Sequence, residues 1–390
     1  MKKIGIITYF YYYNYGTMLQ GYALQKVMEK LGKGNFSSEI IDCRFDEKNL
    51  SFWTLVKIRL SRFFIYFTQI KRVISVFKNR DLAKINNLKY KEDIIKKKSL
   101  FDDFFSNCCV MSEKTYNNSK DLYPEPPIYD IYVTGSDQTW SPKVGLRDSL
   151  FLGFAPKGKI KAAYAPSIGV VDYSSDEDNY VREHLQEYQF VSCRESYGTD
   201  ILKKLSPVPV ETVLDPTLLM RADDWREIAV NPEVSGKYIL CYFIGDRHYY
   251  RDFAKQLSTQ IGIPLVYIPG SNVDLKSVNT LIWKSGPREF LDLIDHAEVV
   301  LTDSFHGTIF SINFNKTFYS FIKHSGKKAM DNMRIVDILD RMNLQDRLVD
   351  NYEGGQIGYK PINYAYTNKL LEEERSKSES FIEKILRAAV

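Results

Sequence analysis

The chain has 390 residues, of which 44% are hydrophobic and 26% charged, with a formal net charge of +4. That size and balance fit two globular domains and exclude a disordered, collagenous or repetitive chain. No stretch is long and apolar enough to span a bilayer.

The opening "MKKIGIITYF" starts like a secretory leader. Its apolar run is short, however, and aromatic and polar residues stand where small ones would mark cleavage, so it reads as a first buried strand. "TMLQGYALQKVMEKLG" follows, with Leu19, Tyr22, Ala23, Val27 and Leu31 at helical spacing and Gly32 at its end. "SEIIDC" is the next strand and completes a βαβ unit. Residues 46–125 then interrupt the pattern; they are too long for a loop and predict a helical subdomain of their own. Within 51–100, 13 lysines and arginines stand against 3 acids, so this segment carries +10 and the rest of the chain −6. Trp53, Val56, Leu60, Phe63, Phe67, Ile70, Ile74 and Phe77 recur every three or four positions, with the basic residues mostly elsewhere. This basic amphipathic pattern fits either a helix packed on the protein with a solvated basic face or one lying on an anionic membrane. Nucleic acid is disfavoured, because no recognised nucleic-acid module accompanies the charge.

Strands continue with "IYDIYVTG", "KAAYAPS" and "FVSCRE", among helices "DEDNYVREHLQEY" and "SYGTDILKKL". The polar stretch 221–236 is a candidate linker. A second series follows: strand "KYILCYFIG", helix "RDFAKQLSTQ", strand "PLVYIP", helix "PREFLDLIDHA", strand "EVVLTDS", helix "GTIFSINF" and strand "TFYSFI". The alternation predicts an α/β protein of two doubly wound Rossmann-like domains, 1–225 and 237–350. The first carries the insertion at about 46–125, and an amphipathic helix over 364–390 packs back. Such domains hold ligand between them, at the carboxyl ends of their strands. The five cysteines are odd in number and lack CxxC spacing, which disfavours a disulfide framework or zinc site and fits a reducing cytoplasm.

Polar residues gather at several of these strand ends. "YYYNYGTMLQ" offers Asn14 and Gly16 for a turn and Tyr11, Tyr12, Tyr13 and Tyr15 as stacking faces. It is neither a GxGxxG nor a Walker loop, so a dinucleotide or nucleoside triphosphate cradle is disfavoured. "VTGSDQTW" crowds Ser136, Asp137 and Gln138 ahead of Trp140. It is either an ordinary turn with a helix cap or a sugar site, with Trp140 stacking and Asp137 and Gln138 bonding hydroxyls. "VSCRE" ends in Arg194, which either takes a carboxylate or phosphate or pairs with Glu195. Cys193 beside it reads as a buried small residue. In "TDSFHGTIFSI", Ser304 or Asp303 caps a helix, and Gly307 lets an anion approach the helix N-terminus. His306 can move a proton near neutral pH or hydrogen-bond an anion, and its spacing alone leaves its purpose open. Lys323, His324, Lys327 and Lys328 face an anion or solvent. Arg334, in "DNMRIVDIL", reaches a ligand or lies on the surface.

In this order and spacing, "NYGTMLQGYALQ", "GSDQTW", "VSCRE", "LDPTLL", "TDSFHGTIFSI" and "NMRIVDIL" resemble the polysaccharide pyruvyl transferase family, in the branch of bacterial capsule and exopolysaccharide clusters. The resemblance runs from residue 1 to about 345, apart from the basic insertion. It implies a two-domain fold like that of GT-B glycosyltransferases, with the acceptor on the first domain and the donor on the second. It also implies phosphoenolpyruvate as donor, a saccharide (often lipid-linked) as acceptor, and a ketal bridging two sugar hydroxyls as product. No metal or further cofactor is expected. By the family pattern His306 matches the catalytic histidine. Arg194 suits the donor's phosphate or carboxylate, with Ser304, Gly307, Lys323 and Arg334 on the same side. Asn14, Gly16, Ser136, Asp137, Gln138 and Trp140 fall on the acceptor side. Other branches read Arg-x-His where this chain has Ser304, so Lys316, Lys323, Lys327 and Arg334 are candidates for the missing charge. The resemblance further implies a cytoplasmic enzyme, held at the inner face of the membrane through about 51–100. Two other readings stand beside it: a nucleotide-sugar glycosyltransferase on the same scaffold, and a non-catalytic saccharide-binding protein.

Overall fold

The computed structural model describes residues 1–11, 13–45, 89–245, 247–269, 280–323 and 332–390. The basic amphipathic pattern over 53–80 lies outside the described residues, as do Tyr12, His324, Lys327 and Lys328. The first half runs β1 (Lys2–Ile7), α1 (Tyr15–Leu31), β2 (Phe36–Ile40), α2 (Lys91–Cys108), β3 (Ile131–Thr134), β4 (Ile160–Ala163), α3 (Ser175–His184), β5 (Phe190–Cys193), α4 (Ser196–Leu202) and β6 (Val210–Thr212). The short helices α5 (Pro216–Leu219) and α6 (Ala222–Arg226) follow. The second half runs β7 (Ile239–Tyr242), α7 (His248–Ile261), β8 (Leu265–Ile268), β9 (Thr280–Leu281), α8 (Pro287–Asp295), β10 (Val299–Thr302), α9 (Phe305–Asn313), β11 (Thr317–Phe321), α10 (Met333–Arg341), β12 (Leu348–Val349) and α11 (Tyr364–Arg387).

The strands form two parallel sheets, ordered β2-β1-β3-β4-β5-β6 and β12-β11-β10-β7-β8-β9. Each is doubly wound: the order reverses beside β1 in the first sheet and between β7 and β10 in the second. A strand with helices on both faces has no solvent side, and β3, β7 and β10 are buried along their whole length. This is the expected α/β architecture of two doubly wound parallel sheets.

The two halves share one apolar core. It runs from Ile4 and Leu24 through Trp225 to Phe290, Ile309 and Phe310. Across the junction Tyr15 stacks on Phe290 at 4.4 Å, and Trp225 meets Phe310 edge-on. α11 lies on the first domain, with Phe381 against Tyr164 and Phe190, while Tyr364 at its start reaches Ser311 of the second.

The described part of the insertion does not stand apart as a subdomain. Phe101 and Phe104 of α2 are buried in the shared core, and Leu100 Cβ sits where Gly286 of the second domain leaves no room for a side chain. Met111 and Tyr116 then bridge to Ile40 and Cys43 beside the first sheet. Among the described residues no helix is long and apolar enough to cross a membrane.

Candidate active site at the facing switch points

In open α/β sheets ligands bind where the strand order reverses. Here the two switch points meet. A side chain on Gly16, at the start of α1, would overlap the His306 imidazole at the start of α9. Gly16 is therefore not a turn residue, as its sequence neighbours suggested. It makes room for a histidine from the other domain.

The second switch point is braced from within. Asp303 does not cap α9; its carboxylate accepts the N–H groups of Ile244 (2.6 Å) and Gly245 (2.7 Å) and fixes the loop after β7. Ser304 is the cap, its hydroxyl accepting the Gly307 N–H at 3.3 Å. That donor is thus satisfied, and a methyl on Gly307 would strike Thr302. Close packing on β10, not an approaching anion, explains the glycine.

His306 is 8% exposed, and its Nε2 is buried without a hydrogen-bond partner among the described residues. It lies 3.8 Å from Asp215 Oδ2. The same oxygen accepts Arg194 Nη1 at 2.7 Å and the Ser136 hydroxyl at 3.1 Å, while Oδ1 takes the N–H and hydroxyl of Thr217. Arg194 also meets Glu195 at 3.3 Å and lies over the Phe305 ring at 4.2 Å, yet its Nη2 is buried with no hydrogen-bond partner among the described residues. Asp137, in the left-handed region at φ +70°, accepts the Thr17 hydroxyl at 2.7 Å.

Burial raises the Asp215 carboxyl, but the charges of Arg194 and His306 and the bonds from Arg194 and Thr217 outweigh it, so it stays ionised below its ordinary value. Arg194 is held charged: burial works against it, and Glu195 and Asp215 prevail. His306 is lowered, first by burial; Asp215 and Asp137 pull it up, and Arg194 and Arg334 push it down. Arg334 belongs to the same cluster. Its guanidinium is lowered by burial and by Arg194, against Glu195 and Asp137. No ion pair or hydrogen bond ties Arg334 to another described residue. Its helix is docked by Asp337, which accepts the Ser196 N–H at 3.0 Å, and by Arg341, which donates to the Arg194 carbonyl at 3.0 Å. Residues 334, 337 and 341 share one helix face.

Of the expected site residues, the structure gathers His306, Arg194, Arg334, Ser136, Asp137 and Gly16 at one place. Asn14 caps α1 through Thr17 N, and Gln138 sits half-buried beside Gly169. Lys323 is tied by its backbone to Asn332 and Arg247. Lys316 donates to the Asp295 carbonyl, at the far end of α8. Trp140 cannot stack on a sugar: it is 0% exposed, stacked on Phe151 at 4.9 Å and bonded to the Leu150 carbonyl. Sequence reasoning missed Asp215, although "LDPTLL" was in view. An Asp before Pro and Thr reads as a helix cap, and it is one, with its other oxygen turned to the site. Thr17 and Lys97 were also missed, whereas Glu195 does pair with Arg194, as one of the two sequence readings had it. Lys97 Nζ lies 4.8 Å from the Tyr15 ring centroid.

A polysaccharide pyruvyl transferase family model matches residues 14–325. No curated protein sequence matches the chain. Similar solved structures include a putative UDP-N-acetylglucosamine 2-epimerase from Listeria monocytogenes, 10% identical over 89% of this chain and 90% of that one, at a TM-score of 0.47. The UDP-GlcNAc 2-epimerase from Neisseria meningitidis is 12% identical over 97% of this chain and 100% of that one, at 0.45. Heptosyltransferase WaaC from E. coli is 10% identical over 84% of this chain and 90% of that one, at 0.39. The family match spans most of the chain, including Gly16, the Asp215 network and His306, and the protein belongs to the polysaccharide pyruvyl transferase family, a family of transferase enzymes.

Proposed function

We propose that the protein transfers a pyruvyl group from phosphoenolpyruvate to two hydroxyls of a saccharide, with His306 as the proton donor. One observation carries the reading: two buried nitrogens beside the Asp215 carboxylate, His306 Nε2 and Arg194 Nη2, have no hydrogen-bond partner among the described residues. Buried polar atoms without partners are costly, and a bound anion would satisfy both.

The chemistry balances with these groups. A proton from the imidazolium goes to the methylene carbon of the donor and makes a methyl group. The second carbon becomes oxocarbenium-like, and one sugar hydroxyl attacks it. Phosphate departs and the second hydroxyl closes the ketal. Of the two hydroxyl protons, one restores His306 and one leaves with phosphate. Arg334, with no ion-pair partner among the described residues, is our candidate for the cation that Ser304 does not supply. An anion against Arg334 offsets its repulsion of the imidazolium, so donor binding itself favours the protonated acid. We assign the acceptor to a precursor of a cell-surface polysaccharide. The basic segment 51–100 supports a lipid-linked form at an anionic membrane face.

A thermal-shift screen separates this reading from a nucleotide-sugar transferase. Millimolar phosphoenolpyruvate is expected to raise the unfolding temperature, and UDP and GDP to leave it unchanged. Stabilisation by UDP or GDP alone would overturn the donor assignment.

A further inference from the structure

A cavity of about 490 Å³ opens beside the switch point of the first sheet, between the β1–α1 loop and α2. None of the residues assigned above to proton transfer or donor binding lines it. Its walls are aromatic: Tyr11 and Tyr13 on one side, Phe101 and Phe105 on the other. Arg44, Asp102 and Ser106 also line it. Tyr13 is 51% exposed, with Lys98 Nζ 5.6 Å from its ring centroid. It meets Phe101 edge-on at 5.8 Å, and its hydroxyl donates to Asp102 at 3.4 Å. Tyr11 lies against Phe105 at 5.3 Å and under Arg44 at 5.1 Å, and its hydroxyl is buried with no partner among the described residues.

We propose that this cavity is a second saccharide subsite, holding the sugar next to the one that receives the pyruvyl group. The inference rests on the pyruvyl-transfer reading and narrows its acceptor class to oligosaccharides. Three features favour a sugar. A pyranose has an apolar face for aromatic rings and an equatorial rim of hydroxyls for a carboxylate, a guanidinium and a phenol. The volume is that of a small-ligand site. The position is right as well: Tyr13 precedes Gly16 by three residues, and Gly16 touches His306. Three residues of chain span at most about 11 Å, roughly the reach of one further sugar. An isoprenoid tail would fit the aromatic walls but would offer no hydrogen bond to the Asp102 carboxylate, the Arg44 guanidinium or the Tyr11 hydroxyl.

The test is binding of the labelled full-length protein to an array of immobilised mono- to tetrasaccharides, without phosphoenolpyruvate. The protein is expected to retain one or more tri- or tetrasaccharides and to bind their component monosaccharides at least about tenfold less well. Tyr13→Ala and Asp102→Asn change exposed residues and are expected to weaken that binding about tenfold; Tyr13→Phe, which keeps the ring, stays within about threefold. Binding to no saccharide, or binding that Tyr13→Ala leaves intact, overturns the proposal. So does a fluorescence response of the aromatic cluster to farnesyl diphosphate with no saccharide retained. Ketal formation on a monosaccharide with a silent array would remove the subsite and leave pyruvyl transfer standing. Saccharide retention without phosphate release would do the reverse.

Discussion

Asp215 holds Arg194 and His306 around one oxygen, at 2.7 and 3.8 Å, with Arg194 2% and His306 8% exposed. At this scale the sequence was readable in part. His306 and Arg194 were visible because a charged side chain at a strand's carboxyl end stands out from the apolar run before it. Asp215 was not, because its local pattern is fully explained by a cap. Trp140 was misread for the opposite reason: an aromatic beside Gly-Ser-Asp looks like a sugar platform, and only the packing of Phe151 and Tyr188 shows it to be core. The His306 account has a direct consequence for titration. In the free protein the imidazole should titrate below an ordinary histidine, because burial and two guanidinium groups disfavour its charge. Phosphoenolpyruvate at Arg334 should move it up, because the bound anion offsets that guanidinium's charge. Nitrogen-15 NMR of the histidine rings measures this; a midpoint that donor leaves unmoved or lowers would contradict the account.

Helix starts and the loops that follow the strands carry the site. α9 starts on the Ser304 cap and α1 on the Asn14 cap, so Gly16 and His306 face each other from two helix N-termini. The strands were legible as compact apolar runs, and most helices by their 3.6-residue spacing. The two- and three-residue strands β6, β9 and β12 were not, because so short a run carries no period. The insertion helix α2 is the element whose role changed most, from a separate subdomain to a strut between domains. It brings Lys97 to the Tyr15 ring without a carboxylate partner among the described residues, and burial lowers its ammonium to about 8. The unfolded lysine titrates near 10.4, so below pH 8 both states are protonated and the folded state bears the full cost of desolvating the charge. Between about pH 8 and 10.4 the unfolded chain binds more protons, and stability rises with pH. Lys97→Met should therefore stabilise the protein at pH 7 by on the order of 1–3 kcal/mol, with the gain shrinking above pH 10. Calorimetry at the two pH values checks this; a destabilised variant at pH 7 would mean that the ammonium has a partner.

Taken whole, the molecule is two sheets around one continuous core. Domain pairs joined by small polar contacts move freely, whereas a large apolar junction holds them. Tyr15, Trp225, Phe290 and Phe310 make this junction apolar, which presents His306 to the first domain's residues already in place. The alternation of strands and helices made the two domains legible in the sequence. The shared core was not, because its partners lie some 270 residues apart, as Tyr15 and Ser285 do. The most direct test of the central claim is proton NMR of the protein with phosphoenolpyruvate and an oligosaccharide acceptor in deuterated water. The expected product is a pyruvyl ketal whose methyl carries one deuteron, formed with one equivalent of phosphate and lost by about 100-fold or more in folded His306→Ala. Turnover of UDP-sugar with no ketal, or an undiminished ketal rate in His306→Ala, would contradict it.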